Sequence, residues 1–384
     1  MLIFFLTLRG SPGSAAAVAA TPWWCLACGP MAGADLFQNL LLFLPLGLVL
    51  GLARWRWTGS ALLLLAIPIG IEVTQALLRT GRDAALGDVL ANAAGGLLGW
   101  WLGAGGLTRL ARWPLLAPTA VTLFLSQLTL TAFLGQPTPV GPAPWQLRLN
   151  PVSSHRPTYI GQIQEVSLGG TRLRADSLPA PASMAAAGSF GASFVWDTTG
   201  GSSLTPILRL DDARGWEIFS VDRRDRAVGM TLRTRAGALR LRNPVFRVPA
   251  GSATPGEMLS ADLSFGRGEI RATISGDSSL TLVLPWGAQH GWVFINPFTP
   301  VQHSTAAWQW WTRAWLFGWG LVIAAVSWHA ARRWPWMLIA TVGLWLLTHL
   351  AGAGATWLDE VALALGWVLL ELSRNALRRR PAAA

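Results

Sequence analysis

A chain of 384 residues with 52% hydrophobic side chains, 23 Trp and only 13% charged residues is excluded from the ordinary soluble class, where about a quarter of residues carry charge. The formal net charge of +11 is carried by arginine, since no lysine occurs. These arginines sit beside apolar helix ends or along alternating strands, with no basic helix or stacking motif, so membrane topology accounts for the charge and nucleic acid is excluded as a partner.

In chain order, Met1 to Leu8 is apolar but short of the ~20 residues a crossing needs, and no basic n-region precedes it as a signal peptide requires. We read it as the remnant of a helix ahead of Cys25, needed if the N-terminus starts in the cytoplasm. The two cysteines form Cys25-Leu-Ala-Cys28. No second CxxC and no nearby His completes a zinc set, so neither metal nor cofactor is expected. An oxidised structural pair on the outer side of a membrane is the favoured reading.

Four spans are expected at about 36–53, 60–78, 87–106 and 114–134. Pro45 and Pro68 fall inside the first two, where they free backbone carbonyls. Gly95, Gly99 and Gly103 recur every fourth residue, which predicts close packing of the third span on a neighbour. After the Pro-rich linker QPTPVGPAP, apolar and polar residues alternate in short runs: 161–168, 207–210, 216–221, 230–234, 239–242, 269–274 and 280–284. Period-two runs separated by Gly, Asp, Ser and Pro predict an antiparallel all-β sandwich or jelly roll able to bury its own core. Three further spans are expected at about 308–330, 336–354 and 357–373, opened by an aromatic interface belt of Trp308, Trp310, Trp311 and Trp315 and closed by a basic tail. The fold class is therefore a multi-pass α-helical membrane protein with an inserted extracytoplasmic all-β domain. It divides into an N-terminal segment (1–35), a four-helix membrane core (36–135), the β-sandwich (136–303) and three C-terminal helices with the tail (304–384).

Orientation follows from the short loops. Arg54 and Arg56, Arg109 and Arg112, Arg332 and Arg333, and the tail all fall on one side by alternation, and such loops mark the cytoplasm. The CxxC, the 79–87 link and the β domain then face outward.

The candidate site lies between the second and third spans. Glu72 and Gln75 are i and i+3, Asp88 and Asn92 are i and i+4, so each pair shares a helix face. Arg79, Arg82 and Asp83 lie in the link, and Asn39 is at a compatible level in the first span. Ionisable groups in apolar surroundings default to a functional reading. Arg79 and Arg82 suit bidentate capture of phosphate or carboxylate; Glu72 is the best general acid or base, with Asp88 its catalytic companion. Asn39, Gln75, Asp83 and Asn92 complete the substrate-binding set. A structural ion-pair network of Glu72, Arg82 and Asp88 is the competing reading. No Ser–His–Asp set, HExxH or Gly-rich phosphate loop occurs, so a reaction would rest on carboxylates alone. His349, Asp359 and Glu360 are a second set able to join the cup or merely to cap a helix. Asp211, Asp212, Trp216, Asp222 and Asp225 are either a sugar or calcium site or turn formers.

The runs Asn39-Leu-Leu-Leu-Phe43-Leu-Pro45-Leu-Gly47, Ile71-Glu72-x-x-Gln75 and Arg82-Asp83-x4-Asp88-x3-Asn92-x2-Gly95-x3-Gly99 resemble the VanZ-like membrane proteins over residues 36–104. That resemblance implies a multi-pass protein of the bacterial cytoplasmic membrane, in a family whose namesake raises glycopeptide antibiotic resistance, without an agreed reaction. The β domain, through Ser264-Phe-Gly-Arg-Gly-Glu-Ile-Arg-Ala-Thr-Ile274, is similar to laminin-G or concanavalin-like sandwiches, which implies carbohydrate binding. The combined expectation is an envelope protein whose polar cup handles a lipid headgroup or a cell-wall or polysaccharide precursor, with membrane lipid and glycan as partners. The alternatives are a non-catalytic scaffold or carbohydrate-binding protein and, less favoured, a transporter.

Overall fold

The computed structural model describes residues 23–27, 31–78, 85–106, 115–137, 145–152, 157–173, 177–178, 189–197, 204–266, 268–296, 304–327, 334–350 and 356–378. Among the described residues, seven α-helices stand near the seven expected spans: α1 (Ala32–Leu52), α2 (Trp57–Leu78), α3 (Leu86–Trp101), α4 (Leu116–Leu134), α5 (Thr305–Val326), α6 (Trp334–Leu350) and α7 (Trp357–Arg378). Among the described residues, α1, α2 and α4 are long and apolar enough to cross a membrane. α6 is apolar but has 17 residues, and α5 and α7 have the length with less apolar sequences.

The helices form two groups. In the first, α1 and α3 pack backbone to backbone. Gly95, Gly99 and Gly103 lie against the carbonyls of Leu40, Leu44 and Leu48, while Gly47 and Gly51 of α1 lie against the backbone of Gly96 and Trp100. A Cβ at any of these positions would overlap a main-chain oxygen, so the four-residue glycine repeat sets the interhelical distance. α2 closes this group through Leu64 and Ile71, buried with Phe43 and Leu50. α3 ends in a π-helical turn, Leu102–Gly106, where Gly105 has φ 102°.

The second group contains α4, which the sequence division places with the first three helices. Val121, Phe124 and Leu128 of α4 instead bury against Leu316 and Ile323 of α5, Met337, Ala340 and Leu344 of α6, and Leu363 of α7. The apolar face of α4 is complementary to these helices, and hydropathy alone does not reveal which neighbours a span chooses. α5 and α7 approach at Gly320 and Gly366, each against the partner's backbone.

Between α4 and α5 the described residues form twelve strands: β1 (Trp145–Leu149), β2 (Ile163–Leu168), β3 (Thr171–Leu173), β4 (Ser177–Leu178), β5 (Ser189–Val195), β6 (Thr205–Asp211), β7 (Glu217–Arg224), β8 (Ala227–Leu232), β9 (Val245–Pro249), β10 (Met258–Phe265), β11 (Glu269–Ser275) and β12 (Ser279–Pro285). They form two six-stranded antiparallel sheets, in the orders β4-β1-β6-β7-β8-β9 and β12-β11-β10-β5-β2-β3. Alternate side chains from both sheets, including Phe190, Phe194, Phe219, Met230, Phe246, Leu263 and Ile270, meet in one buried core, as a half-buried strand pattern requires.

Two expectations fail here for physical reasons. Leu239-Arg-Leu-Arg242 is not a strand. It follows a 3-10 helix, Arg235–Leu239, and Arg240 sits at φ 53°. Its alternation serves a docking turn, in which Leu241 packs on Leu134 and Phe294 while Arg240 and Arg242 reach the first helix group. Trp308 is not part of an interface belt. It is fully buried in the sandwich core, donates its indole N–H to the Pro285 carbonyl at 3.0 Å, and packs edge-on against Trp292. Trp310, two residues on, is 69% exposed.

Candidate functional site

Every α-helix leaves N–H groups without partners at its first turn. At the mouth of the first helix group two such ends lie side by side, and other parts of the chain complete them. The Arg240 carbonyl accepts from Gly33 and Ala34 at the start of α1, at 3.1 and 3.2 Å. At the start of α3, Leu86 N–H donates to Trp23 and Gly87 N–H to Cys25, at 2.8 and 3.1 Å, and the Ala85 N–H donates to the Glu72 carboxylate at 2.9 Å. Gly87 lies directly under the Leu26 backbone. Glu72 thus links α2 to the N-terminus of α3, where negative charge is favourable.

Between these ends is a cavity of about 110 Å³ lined by Leu26, Ala27, Ala32, Asp35, Leu36, Ala85, Gly87 and Asp88. A water needs about 10–15 Å³ of such space, so the cavity admits a polar group of several heavy atoms. On its wall the Asn39 amide donates to Asp88 at 2.7 Å, joining α1 to α3. Asp35 receives Arg242 at 3.4 Å, and the same guanidinium reaches the Gln38 amide oxygen at 3.4 Å. Arg240 donates to the Ala27 carbonyl at 2.9 Å, and Gln38 donates to the Ile295 carbonyl at 2.8 Å. The turn after β8 therefore covers the cavity with two arginines.

The structure brings Asn39, Glu72 and Asp88 to this mouth. Glu72, Gln75 and Asn92 are all buried, and the Asn92 amide oxygen has no hydrogen-bond partner among the described residues. Arg79, Arg82 and Asp83 lie outside the described residues, as does Cys28; Cys25 is disulfide-bonded. Asp35 and Gln38 were missed, although Asp35 lies three residues before Gln38 and four before Asn39, so that all three share one side of α1. Arg240 and Arg242 were missed because they lie about 200 residues away in the chain and no local pattern links them to α1.

The other acidic sets do not join this site. Asp359 accepts from the Thr356 N–H at 3.0 Å, closing the first turn of α7, and faces Arg313 of α5 at 3.7 Å. The His349 ring nitrogen contacts the Trp345 carbonyl at 2.8 Å on its own helix. In the sandwich, Asp212 accepts from the backbone of Arg214 and Trp216 at 2.9 Å each and pairs with Arg233 at 3.1 Å, while Arg233 also covers the Trp216 ring. Asp211 pairs with Arg148 and Arg209, and Asp222 faces Arg247 at 3.5 Å. Asp225 occupies the β7–β8 turn at φ 54°. These carboxylates hold turns and ion pairs, and no cluster suited to a metal occurs among the described residues.

Residues 2–107 match the VanZ/LLP1 family model. The matched range includes the N-terminal segment that the sequence division sets apart, and it ends at the π-helical turn after α3. No curated protein and no solved structure matches the chain. The first helix group is thus the part of the chain that is similar to the VanZ/LLP1 family.

Proposed function

We propose that the VanZ-like domain binds the polar headgroup of a cell-envelope precursor in the cavity at the mouth of α1 and α3, with the sandwich outside the cytoplasm as its cover. The observation that carries this reading is the cavity itself: two carboxylates, Asp35 and Asp88, line it, two completed helix N-termini frame it, and the Arg240–Arg242 turn sits over it. Carboxylates accept from amine or hydroxyl groups, and the arginines of the link and of the covering turn suit a phosphate or carboxylate. A lipid-linked cell-wall or polysaccharide precursor offers both. Any acid–base chemistry falls to Glu72 and Asp88, the two carboxylates at the N-terminal turn of α3. The alternation of arginine-bearing loops supports the outward orientation.

The test uses the full chain in lipid nanodiscs and in a deletion strain. Glu72→Gln and Asp88→Asn keep shape and lose charge, so they should fold with near wild-type melting temperature, bind a lipid-linked precursor at least tenfold more weakly, and fail to restore wild-type glycopeptide susceptibility. Arg82→Lys keeps charge without the planar fork and should be impaired. Full rescue by all three would overturn the proposal. A scaffold role is the second reading, favoured by the fact that Glu72 and Asp88 each already bridge two elements. It requires the opposite result: loss of folded protein in proportion to loss of function, since an orphaned partner in a buried pair costs about 3–5 kcal/mol.

A further inference from the structure

One face of α4 is left open beside its packed one. Thr122, Leu125, Ser126, Thr129, Leu130 and Phe133 line a groove of about 650 Å³ along it. Its surface is mostly apolar, because the Thr129 hydroxyl is turned back onto the Leu125 carbonyl of its own helix at 2.9 Å. From Thr122 to Phe133 the groove runs eleven residues, roughly 16 Å at about 1.5 Å per residue. That is close to one leaflet, half of the about 30 Å hydrocarbon core, and α4 is one of the three helices fit to span it.

At the sandwich end of this groove stands Arg235. Its guanidinium lies 4.4 Å above the Phe133 ring, and its backbone N–H is fixed to the Gln136 carbonyl at 3.2 Å. No carboxylate pairs with it among the described residues. Beside it Trp286 donates to the Gly135 carbonyl at 2.9 Å, which marks the level where the helix leaves the apolar layer. An apolar track one leaflet long, ending in a fixed cation at headgroup level, has the chemistry of an anionic phospholipid.

We propose that this groove binds one anionic phospholipid from the leaflet on the sandwich side, an acyl chain lying along Thr122 to Phe133 and the phosphate meeting Arg235. The site is separate from the cavity at α1 and α3 and does not depend on the function assigned there. Its occupancy would also tie the sandwich to α4, since Arg235 belongs to the turn that carries Arg240 and Arg242 to the first helix group.

The test is native mass spectrometry and thermal melting of the detergent-purified full chain with phosphatidylglycerol, phosphatidylcholine and free glycerol phosphate as probes. Phosphatidylglycerol should bind about fivefold more tightly than phosphatidylcholine, from the roughly 1 kcal/mol that one arginine contributes toward an anionic lipid surface, and glycerol phosphate should not protect. Arg235→Gln should abolish that preference, Arg235→Lys should retain it, and Ser126→Trp should block binding of both lipids. Equal affinity of the two lipids for the wild type would overturn the proposal even if no variant folds. So would a preference that survives Ser126→Trp, or a dimer in place of lipid binding that Ser126→Trp disrupts.

Discussion

Trp308 joins two parts of the molecule that the sequence presents as separate, and its removal tests that union. The side chain starts α5 yet is fully buried in the sandwich core among Trp286, His290 and Trp292. A buried Trp covers about 150–250 Å², which at about 25 cal/mol per Å² is worth ~4–6 kcal/mol. The loss of its bond to the Pro285 carbonyl adds about 1 kcal/mol. Measured Trp→Ala truncations cost about 3–5 kcal/mol, so Trp308→Ala should consume much of a marginal stability of about 5–15 kcal/mol. At roughly 2–4 °C per kcal/mol for a domain near this size, the sandwich transition in the full chain should fall by about 8–16 °C. Trp308→Phe keeps most of the area and should fall by only a few degrees, and Trp310→Ala should not move it. Differential scanning of the detergent-purified protein, with proteolysis of the 204–296 region as the local readout, checks this. A Trp308→Ala protein that melts with Trp310→Ala would show that the sandwich core ends before α5. The same reasoning changes the expectation from strand alternation that the sandwich buries its own core: a fragment ending at residue 302 lacks the core side chain Trp308 and should be markedly less stable than one extended through Thr312.

The helix seam gives a second prediction. Gly99→Leu should abolish folded protein, because even its Cβ would overlap the Leu44 carbonyl, whereas Gly70→Ala, with open space around it, should be neutral or stabilising by up to about 1 kcal/mol in yield and melting assays. The pH dependence gives a third. Burial pushes the His290 imidazole down to about 3 from 6.5. Between those values the unfolded chain binds a proton that the folded chain does not, so stability falls as pH drops from 6.5 toward 3. At pH 5 the loss from this group is about 2 kcal/mol, from about 1.4 kcal/mol per pH unit. Melting at pH 5 and 7.5 should show that difference in the wild type and a flatter response in His290→Gln; equal slopes would refute it.

Helix positions were legible because each rests on a local signal: apolar runs for α1, α2 and α4, and the Gly95–Gly99–Gly103 repeat for the α1–α3 seam. Most strands were legible by alternation. What failed shares one cause. Leu239 to Arg242 has the period of a strand, and Trp308 has the position of an interface anchor, yet both owe their conformation to partners far along the chain. Glu72, Asp88 and Asn39 were legible in the site as polar residues in apolar helices. Arg240 and Arg242 were not, since a basic side chain in a β domain looks solvated until the docking turn places it over Asp35.

That docking turn decides whether the sandwich merely neighbours the cavity or forms part of it. Gly33 is the point of closest approach, its α-carbon facing the Leu239 and Arg240 carbonyls while its N–H binds Arg240. Gly33→Leu cannot place a side chain there without pushing the turn away. The start of α1 then loses its backbone acceptor, at about 0.5–1.5 kcal/mol for each net hydrogen bond, and Arg242 loses Asp35. The helix group itself is untouched, because its seam lies at Gly95 to Gly103. The expected outcome is a folded protein, newly cleaved near Leu239 to Asn243 under limited proteolysis, with weakened precursor binding. Gly59→Leu, which meets nothing, serves as the control. If Gly33→Leu is cleaved at the turn and yet binds as tightly as wild type, the helices hold the ligand alone and the arginines of the turn take no part.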